Sequence, residues 1–192
     1  IKIDMKMIKN IILLITLFSG LLIIGQEKKI NINESKIKWI GKEITTKIHF
    51  GSLKFNDGKI ILNNNQIVGG DFSVDMKSLV DEDLSGKSKQ YLENHLKSDD
   101  FFGVEKYPTA SLNISSSYKI SDNKHKINGV LTIKNIAHPI IFVLTFNDLG
   151  AFSKMTFDRS KYDVKYRSAS FFSDLGDKLI YDDIDVEVTL IF

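Results

Sequence analysis

Short runs in which apolar and polar residues alternate dominate this chain, and they constrain its fold more than any other feature. Phe72, Val74 and Met76 alternate with Asp71, Ser73 and Asp75. The apolar residues of two further runs are Ile140, Phe142, Leu144 and Phe146, and Ile184, Val186, Val188 and Leu190. Because successive side chains of a β-strand point to opposite faces, this period of two predicts strands with one apolar face.

Polar turn sequences separate the apolar runs. Asn56-Asp57-Gly58 and Asn63-Asn64-Asn65 are each predicted to be a turn between strands, as are Asp122-Asn123 and Asn147 to Gly150. Short strands joined by turns favour a sandwich or a barrel. A closed barrel has no exposed strand edge, and a single helix can lie across its opening.

One segment departs from the strand period. Ser85 is a suitable N-cap for a helix over about 87–97. The residues predicted to share one side of this helix are Tyr91, Leu92, His95 and Leu96. Asp99-Asp100-Phe101-Phe102 follows, and we expect this turn to keep its carboxylates in water while it buries its rings. The segment therefore predicts a helical lid with its joint at 99–102.

The N-terminal segment resembles an export signal. Lys6 and Lys9 precede an almost unbroken apolar run from Ile11 to Ile24. A membrane span needs about 20 apolar residues, so this run favours a cleaved signal peptide over an anchor. We predict a signal peptide within 1–25, preceded by residues upstream of an initiator at Met5 or Met7, and one domain over 28–192.

Composition narrows the classes of function. Removing three lysines and one aspartate of the predicted signal from totals of 26 and 24 leaves 23 basic and 23 acidic residues. A mature chain without net charge offers no bulk attraction to nucleic acid. The chain has no cysteine, which excludes disulfides, a thiol nucleophile and a lipid-anchored cysteine.

Common catalytic and metal motifs are not matched. Gly86-Lys87-Ser88 resembles the end of a phosphate-binding loop, but Asp81 stands where the first glycine is required. No Gly-x-Ser-x-Gly elbow occurs, and no pair of histidines has the spacing of metal ligands. We interpret Asp81-Glu82-Asp83 and Asp99-Asp100 as solvated turn charges, and predict no catalytic residue, metal or required cofactor.

Seven segments spread over most of the chain together carry a resemblance to a known family. They are Trp39-Ile40-Gly41-Lys42, Ile48-His49-Phe50-Gly51, Gly69 to Leu79, His95 to Pro108, Asn128 to Lys134, Asp158 to Tyr162, and Ile180 to Val188. In this order and spacing they resemble the YceI-like family of exported, lipid-binding proteins, and the resemblance covers roughly 35–192. The chain departs from the family pattern at Asp163, where a glycine is common.

The resemblance implies a fold and a ligand. The fold would be an all-β, antiparallel, eight-stranded lipocalin-like barrel with an elongated apolar cavity. The ligand would be a polyisoprenoid, an isoprenoid quinone or a similar long-chain lipid, bound without chemistry. A Gram-negative source, which the resemblance implies, makes the protein periplasmic, whereas a Gram-positive source makes it extracellular. The oligomeric state is left open, with a homodimer as one candidate because related barrels often pair.

We predict ligand-binding residues of two kinds. Aromatic walls for the lipid tail are predicted from Trp39, Phe50, Phe72, Phe101, Phe102, Phe142, Phe146 and Tyr166. Polar contacts to its head group are predicted from Lys42, His49 and Arg159, which interrupt apolar strands. Each aromatic residue has core packing as its alternative role, and Arg159 has an ion pair with Asp158. Two other functions remain open, namely an interaction scaffold and a lipid-modifying enzyme.

Overall fold

A computed structural model describes residues 25–64 and 66–192 of the chain. Within these ranges nine antiparallel strands surround the interior, with one α-helix and two short 3-10 helices at one end. The strands are β1 Gln26–Lys29, β2 Lys36–Lys42, β3 Ile48–Asn63, β4 Gln66–Asp81, β5 Thr109–Ser121, β6 Lys124–Ile133, β7 Ile136–Phe146, β8 Gly150–Asp158 and β9 Asp183–Ile191. The helix α1 is Gly86–Lys97, and the 3-10 helices are Arg159–Tyr162 and Gly176–Lys178.

Strands β2 to β9 form a closed barrel. Each pairs with the next along the chain, and β9 returns to pair with β2, where Trp39 lies opposite Val186. The predicted antiparallel eight-stranded barrel is therefore confirmed. Strand β1 pairs with the second half of β3, beyond the part that pairs with β2.

The predicted turn at Asn56-Asp57-Gly58 is wrong, because β3 runs through it as one strand of 16 residues. The register with β4 shifts between Phe55 and Asp57, which marks a β-bulge. A Cβ on Gly58 would lie 2.6 Å from the Phe72 ring and 2.7 Å from Cδ1 of Ile30. Glycine is needed at this position because of close packing inside a strand, which the sequence pattern alone cannot distinguish from a turn.

Other predicted turns join consecutive strands as expected. Strand β3 ends at Asn63, β4 begins at Gln66, and Asn64 between them has a φ of 48°. Asp122-Asn123 connects β5 to β6, and 147–149 connects β7 to β8. Asp163, the departure from the family pattern, has a φ of 59° and ψ of 32°. This left-handed conformation explains why glycine suits that position and why aspartate is tolerated there.

The predicted helix and its joint are present. Ser85 occupies the N-cap position of α1, although its side chain makes no capping hydrogen bond. Tyr91 stacks on His95 with ring centroids 6.4 Å apart, which agrees with the predicted shared side, although Tyr91 is 75% exposed. After the helix, Asp99 and Asp100 are exposed, while the rings of Phe101 and Phe102 are buried, as predicted. None of the described residues belongs to a helix long and apolar enough to cross a bilayer. The predicted signal peptide lies almost entirely in 1–24, outside the described residues.

The buried apolar residues form two clusters, one at each end of the barrel. The far-end cluster, remote from α1, includes Ile30, Ile60, Ile67, Ile127, Ile140 and Ala151. The lid-end cluster, under α1 and its joint, includes Trp39, Met76, Leu79, Leu96, Phe101, Phe102, Ile133, Tyr162 and Val164. The space between the two clusters is not fully occupied by side chains.

Candidate functional site

A cavity of about 200 Å³ lies inside the barrel between the two clusters. In the same measure one water molecule needs about 10–15 Å³, so this space exceeds an ordinary packing defect. Its wall includes the inward residues of β9, which are Ile184, Val186, Val188 and Leu190. These residues alternate along six positions at about 3.3 Å each, so the cavity follows roughly 20 Å of strand.

The cavity wall is overwhelmingly apolar. Its ionisable side chains are Lys42, Glu43, His49 and His95, and its hydroxyl is that of Ser153. Lys42, Glu43 and His49 lie near the lid end, where β2 ends and β3 begins. Ser153 lies deeper, paired with Leu144 and Val188. A cavity of this character does not hold water well and suits an apolar ligand.

The lid closes one end of the cavity with apolar side chains and one imidazole. Leu92, His95 and Leu96 of α1 line it, together with Phe101 and Phe102 of the joint. The His95 ring packs edge-on to Tyr166, with centroids 4.3 Å apart. Burial lowers the pKa of His95, which keeps the ring neutral near pH 7. Its Nε2 is buried without a hydrogen-bond partner and is therefore available to a polar ligand atom.

The polar side chains at the lid end of the cavity are held by partners. Lys42 Nζ donates to Asp185 Oδ2 at 2.6 Å, and that hydrogen bond lowers the pKa of Asp185. His49 Nδ1 lies 2.9 Å from Asp83 Oδ2. This contact fixes the orientation of the imidazole. Both cavity-lining polar groups are thus positioned before any ligand binds.

Asp81 and Asp83 form a carboxyl pair behind His49. The interpretation of both as solvated turn charges is wrong, because Asp81 is completely buried and the Asp83 side chain is only 16% exposed. Burial, together with the hydrogen bond to Asp83, raises the pKa of Asp81. Burial alone would raise the pKa of Asp83 too, but hydrogen bonds from Phe50 N, Asp81 and His49 outweigh it and lower that pKa. The environment therefore favours the protonated form of Asp81 more than that of Asp83.

Seven of the predicted ligand-binding residues line the cavity. They are Trp39, Lys42, His49, Phe72, Phe101, Phe102 and Phe142. Trp39 is anchored by a hydrogen bond of 3.1 Å from Nε1 to the carbonyl oxygen of Val80. It also lies directly over Gly51, where a Cβ would come within 2.9 Å of the indole ring. That these residues contact a ligand stays a prediction.

Three predicted aromatic residues lie elsewhere. Phe50 follows the inward-facing His49 and points to the outer face of the barrel, where Lys38 Nζ lies 4.6 Å from its ring centroid. Phe146 packs against Phe192 and His125 near the far end. Tyr166 supports His95 from behind the cavity wall. The period of two explains the Phe50 error, since neighbouring strand residues point to opposite faces.

Arg159 is a buried structural residue beside the lid joint and does not line the cavity. Its guanidinium is completely buried, and it donates to the carbonyl oxygens of Tyr181, Val164 and Ile180 at 3.1–3.2 Å. It forms an ion pair with Asp182 at 3.2 Å. The ion pair with Asp158, which was the alternative prediction for this residue, is not formed. The guanidinium also lies 5.2 Å from the centroid of Phe101. Arg159 thereby holds the 164–182 loop against the lid joint, and the prediction of a head-group contact is not supported by its position.

The sequence reasoning missed three polar cavity residues, namely Glu43, His95 and Ser153. His95 was assigned to the buried side of the helix, but only its unpartnered Nε2 distinguishes it from a packing residue. Ser153 Oγ is likewise buried without a partner. Its position on the apolar face of β8 was a detectable signal, since a serine there interrupts the strand pattern.

Comparisons with known proteins agree with this architecture. The sequence model of the YceI-like domain matches residues 29–192. No functionally curated protein matches the chain.

Several solved structures share the fold at low sequence identity. BcnA from Burkholderia cenocepacia is 18% identical, covers 85% of this chain and 99% of its own, and has a TM-score of 0.68. A polyisoprenoid-binding domain from Saccharophagus degradans, implicated in plant cell wall breakdown, is 8% identical, with coverages of 86% and 97% and a TM-score of 0.58. The YCEI protein of Campylobacter jejuni is 20% identical, with coverages of 72% and 83% and a TM-score of 0.53.

Proposed function

Because the chain belongs to the YceI-like family, we propose that it binds one long-chain isoprenoid amphiphile in its barrel cavity and carries it unchanged. The observation that carries this proposal is the apolar cavity of about 200 Å³ inside the barrel, beneath the helical lid. The polyisoprenoid-binding domain with the same fold supports the choice of ligand class. An isoprenoid lipid or quinone combines the long apolar tail and small polar head that such a site accommodates.

The free energy of binding comes mainly from the tail. Transfer of each methylene from water contributes about 0.8 kcal/mol. Ordering the tail and the loss of overall motion offset part of this gain, so the net affinity is much smaller than the sum. Rigid walls reduce that cost, and Trp39, Phe101 and Phe102 are all buried and fixed by neighbours.

The head group lies at the lid end in this proposal. Lys42 and His49 are positioned there by Asp185 and Asp83, and Glu43 lines the same region. His95 Nε2 offers a further polar atom directly under the lid. The tail then extends along β9 toward Leu190 and Phe142. This orientation matches the distribution of polar groups along the wall.

We also propose that the protein acts after export, in the periplasm of a Gram-negative source. The apolar run of 11–24 behind two lysines supports this localisation. Assembly as a homodimer stays a prediction.

Mass spectrometry of an organic extract of the purified protein tests the ligand directly. We expect one prenyl lipid or quinone at close to one equivalent per chain, chemically unmodified after prolonged incubation. A cavity that yields no extractable lipid, and takes up none from added quinone, would overturn the carrier proposal. Conversion of the added quinone would favour the enzyme alternative.

A matched pair of substitutions separates the cavity from the outer surface. Ala110→Phe fills the cavity from β5, where Ala110 is buried and lines the wall. Ala137→Phe places the same ring on the exposed outer face of β7. We expect the first variant to lose most of its co-purifying lipid and the second to retain it. Equal retention by both variants would indicate that the barrel is a scaffold and that its interior is not the functional site.

A further inference from the structure

Three side chains from separate parts of the chain converge beside the cavity. His49 belongs to the start of β3, Asp81 ends β4, and Asp83 lies in the connection to α1. One ligating atom of each lies within 4.8 Å of those of the other two. Within the cluster His49 Nδ1 and Asp83 Oδ2 are 2.9 Å apart. One imidazole and two carboxylates are a donor set typical of transition-metal sites.

The buried carboxyl of Asp81 is incompletely satisfied. Its Oδ1 accepts a hydrogen bond of 2.8 Å from Leu84 N, but its Oδ2 is buried without any donor. Buried carboxylate oxygens normally have a hydrogen bond, an ion partner or a metal, because an unpartnered one costs free energy. The same carboxyl contributes an oxygen to the cluster with Asp83 and His49, so its unpartnered oxygen lies beside the other two ligand groups.

The surroundings favour a cation. Among the described residues, no lysine or arginine lies within ion-pair distance of Asp81 or Asp83, and the side chain in contact with Asp83 Oδ2 is the His49 imidazole. Two further carboxylates lie close by. Glu93 accepts a hydrogen bond of 2.9 Å from Asp81 N, and Glu43 lies 4.0 Å from His49 Nε2. Lys89 is 3.7 Å from Glu93 and offsets only that charge. The cluster therefore has an excess of negative groups.

We propose that His49 Nδ1, Asp81 and Asp83 form a binding site for one divalent transition-metal ion, with Zn²⁺ as the best-fitting probe. Ligands bound to zinc at about 2.1 Å lie roughly 3.0–3.4 Å from each other, so the 2.9 Å contact needs to open by only a few tenths of an ångström. Water completes the coordination, since the His49 and Asp83 side chains are partly accessible.

The site accounts for the choice of residues at this corner of the barrel. A fully buried Asp81 with one unpartnered oxygen is costly in a protein that holds no cation there. The presence of an imidazole selects zinc over calcium, which prefers oxygen ligands. Metal binding at this site does not require a lipid in the cavity. The metal site and the proposed lipid-binding function are therefore tested independently of each other.

Isothermal titration of the chelator-treated full chain with zinc chloride, near neutral pH, tests the site. We expect one zinc ion per chain in the wild type. His49→Gln and Asp81→Asn should each weaken binding by about tenfold or more, because each removes one of three protein ligands. Calcium chloride should bind far more weakly than zinc in the wild type.

Matched controls carry the same chemical changes elsewhere. His138→Gln alters an imidazole that contacts the carbonyl oxygen of Lys161, and Asp99→Asn alters an exposed carboxylate paired with Lys106. Both controls should bind zinc as the wild type does. If Asp81→Asn does not fold, the partly exposed Asp83→Asn replaces it. Absence of stoichiometric zinc binding in the wild type, or undiminished binding in His49→Gln, would refute the proposed metal site.

Discussion

The far end and the lid end of the barrel bury similar amounts of apolar side chain by different means. At the far end, isoleucines on regular strands, such as Ile60, Ile67 and Ile127, are almost completely inaccessible and do not line the cavity. At the lid end, aromatic rings from a turn and a loop are held by one buried arginine. The far end is therefore a packed plug, whereas the lid end depends on polar interactions between segments that lack strand pairing.

The difference indicates which end opens. Strand pairing holds nearly all the residues of the plug, Ile30 just after β1 excepted, and partial opening there would break the closed sheet. The lid rests on side-chain packing and on the contacts of Arg159, which can separate without loss of the barrel. Segments with few backbone pairings have the lowest local stability. We therefore expect a ligand to enter at the lid end.

The largest expected effect comes from Arg159→Ala. This change removes the hydrogen bonds to three carbonyl oxygens and leaves Asp182 without its ion partner. Loss of one member of a buried pair costs about 3–5 kcal/mol, which urea denaturation can measure. Arg167→Ala is the control, because Arg167 only lies over the Tyr166 ring at 5.1 Å, a contact worth about 0.5–1 kcal/mol. Equal losses in the two variants would contradict a special role for Arg159 at the lid end.

A matched pair of isoleucines compares the plug with the cavity wall. Ile127→Ala should lower the free energy of unfolding by about 2–5 kcal/mol, because the side chain is completely buried in the far-end cluster. Ile184→Ala should cost less, since that side chain already faces the cavity and loses fewer contacts. Lipid retention should fall only in Ile184→Ala. A plug residue that proves as tolerant as the wall residue would mean that the far end is not densely packed.

The smallest expected effect is a change in the pH dependence of Tm when one buried histidine at either end of the barrel is replaced. Burial lowers the pKa of both His95 and His125, so the folded state binds protons less readily than the unfolded state. Above the ordinary histidine pKa of about 6.5, protonation of these two rings does not affect the free energy of unfolding. As the pH falls below that value, the unfolded state takes up protons more readily, so each histidine lowers the stability of the fold. His95→Phe and His125→Phe should each reduce the loss of Tm between neutral and mildly acidic pH. A loss of Tm unchanged in both variants would show that other groups cause the acid sensitivity.

Much of the fold follows from local pattern. The period of two in β4, β7 and β9 depends only on neighbouring residues, and it correctly assigned the inward faces that supply most of these strands' cavity-lining residues, although Ile140 and Phe146 of β7 lie outside the lining. The structure of the Asp-Asp-Phe-Phe joint was equally predictable from the sequence, because the carboxylates favour solvent and the aromatic rings favour burial.

The features that local sequence pattern did not predict depend on how the barrel closes. Asn56-Asp57-Gly58 has the composition of a turn, yet it lies within β3. Glycine is required at position 58 because Phe72 and Ile30 leave no room for a side chain. Arg159 interrupts an apolar pattern, yet it binds carbonyl groups of a loop some twenty residues away. His49, Asp81 and Asp83 meet only after β3 has paired with β4. The sequence determines whether each side chain faces the interior or the solvent, because that preference depends on local polarity. The residues that each side chain contacts depend on how distant strands pair, which only the tertiary structure decides.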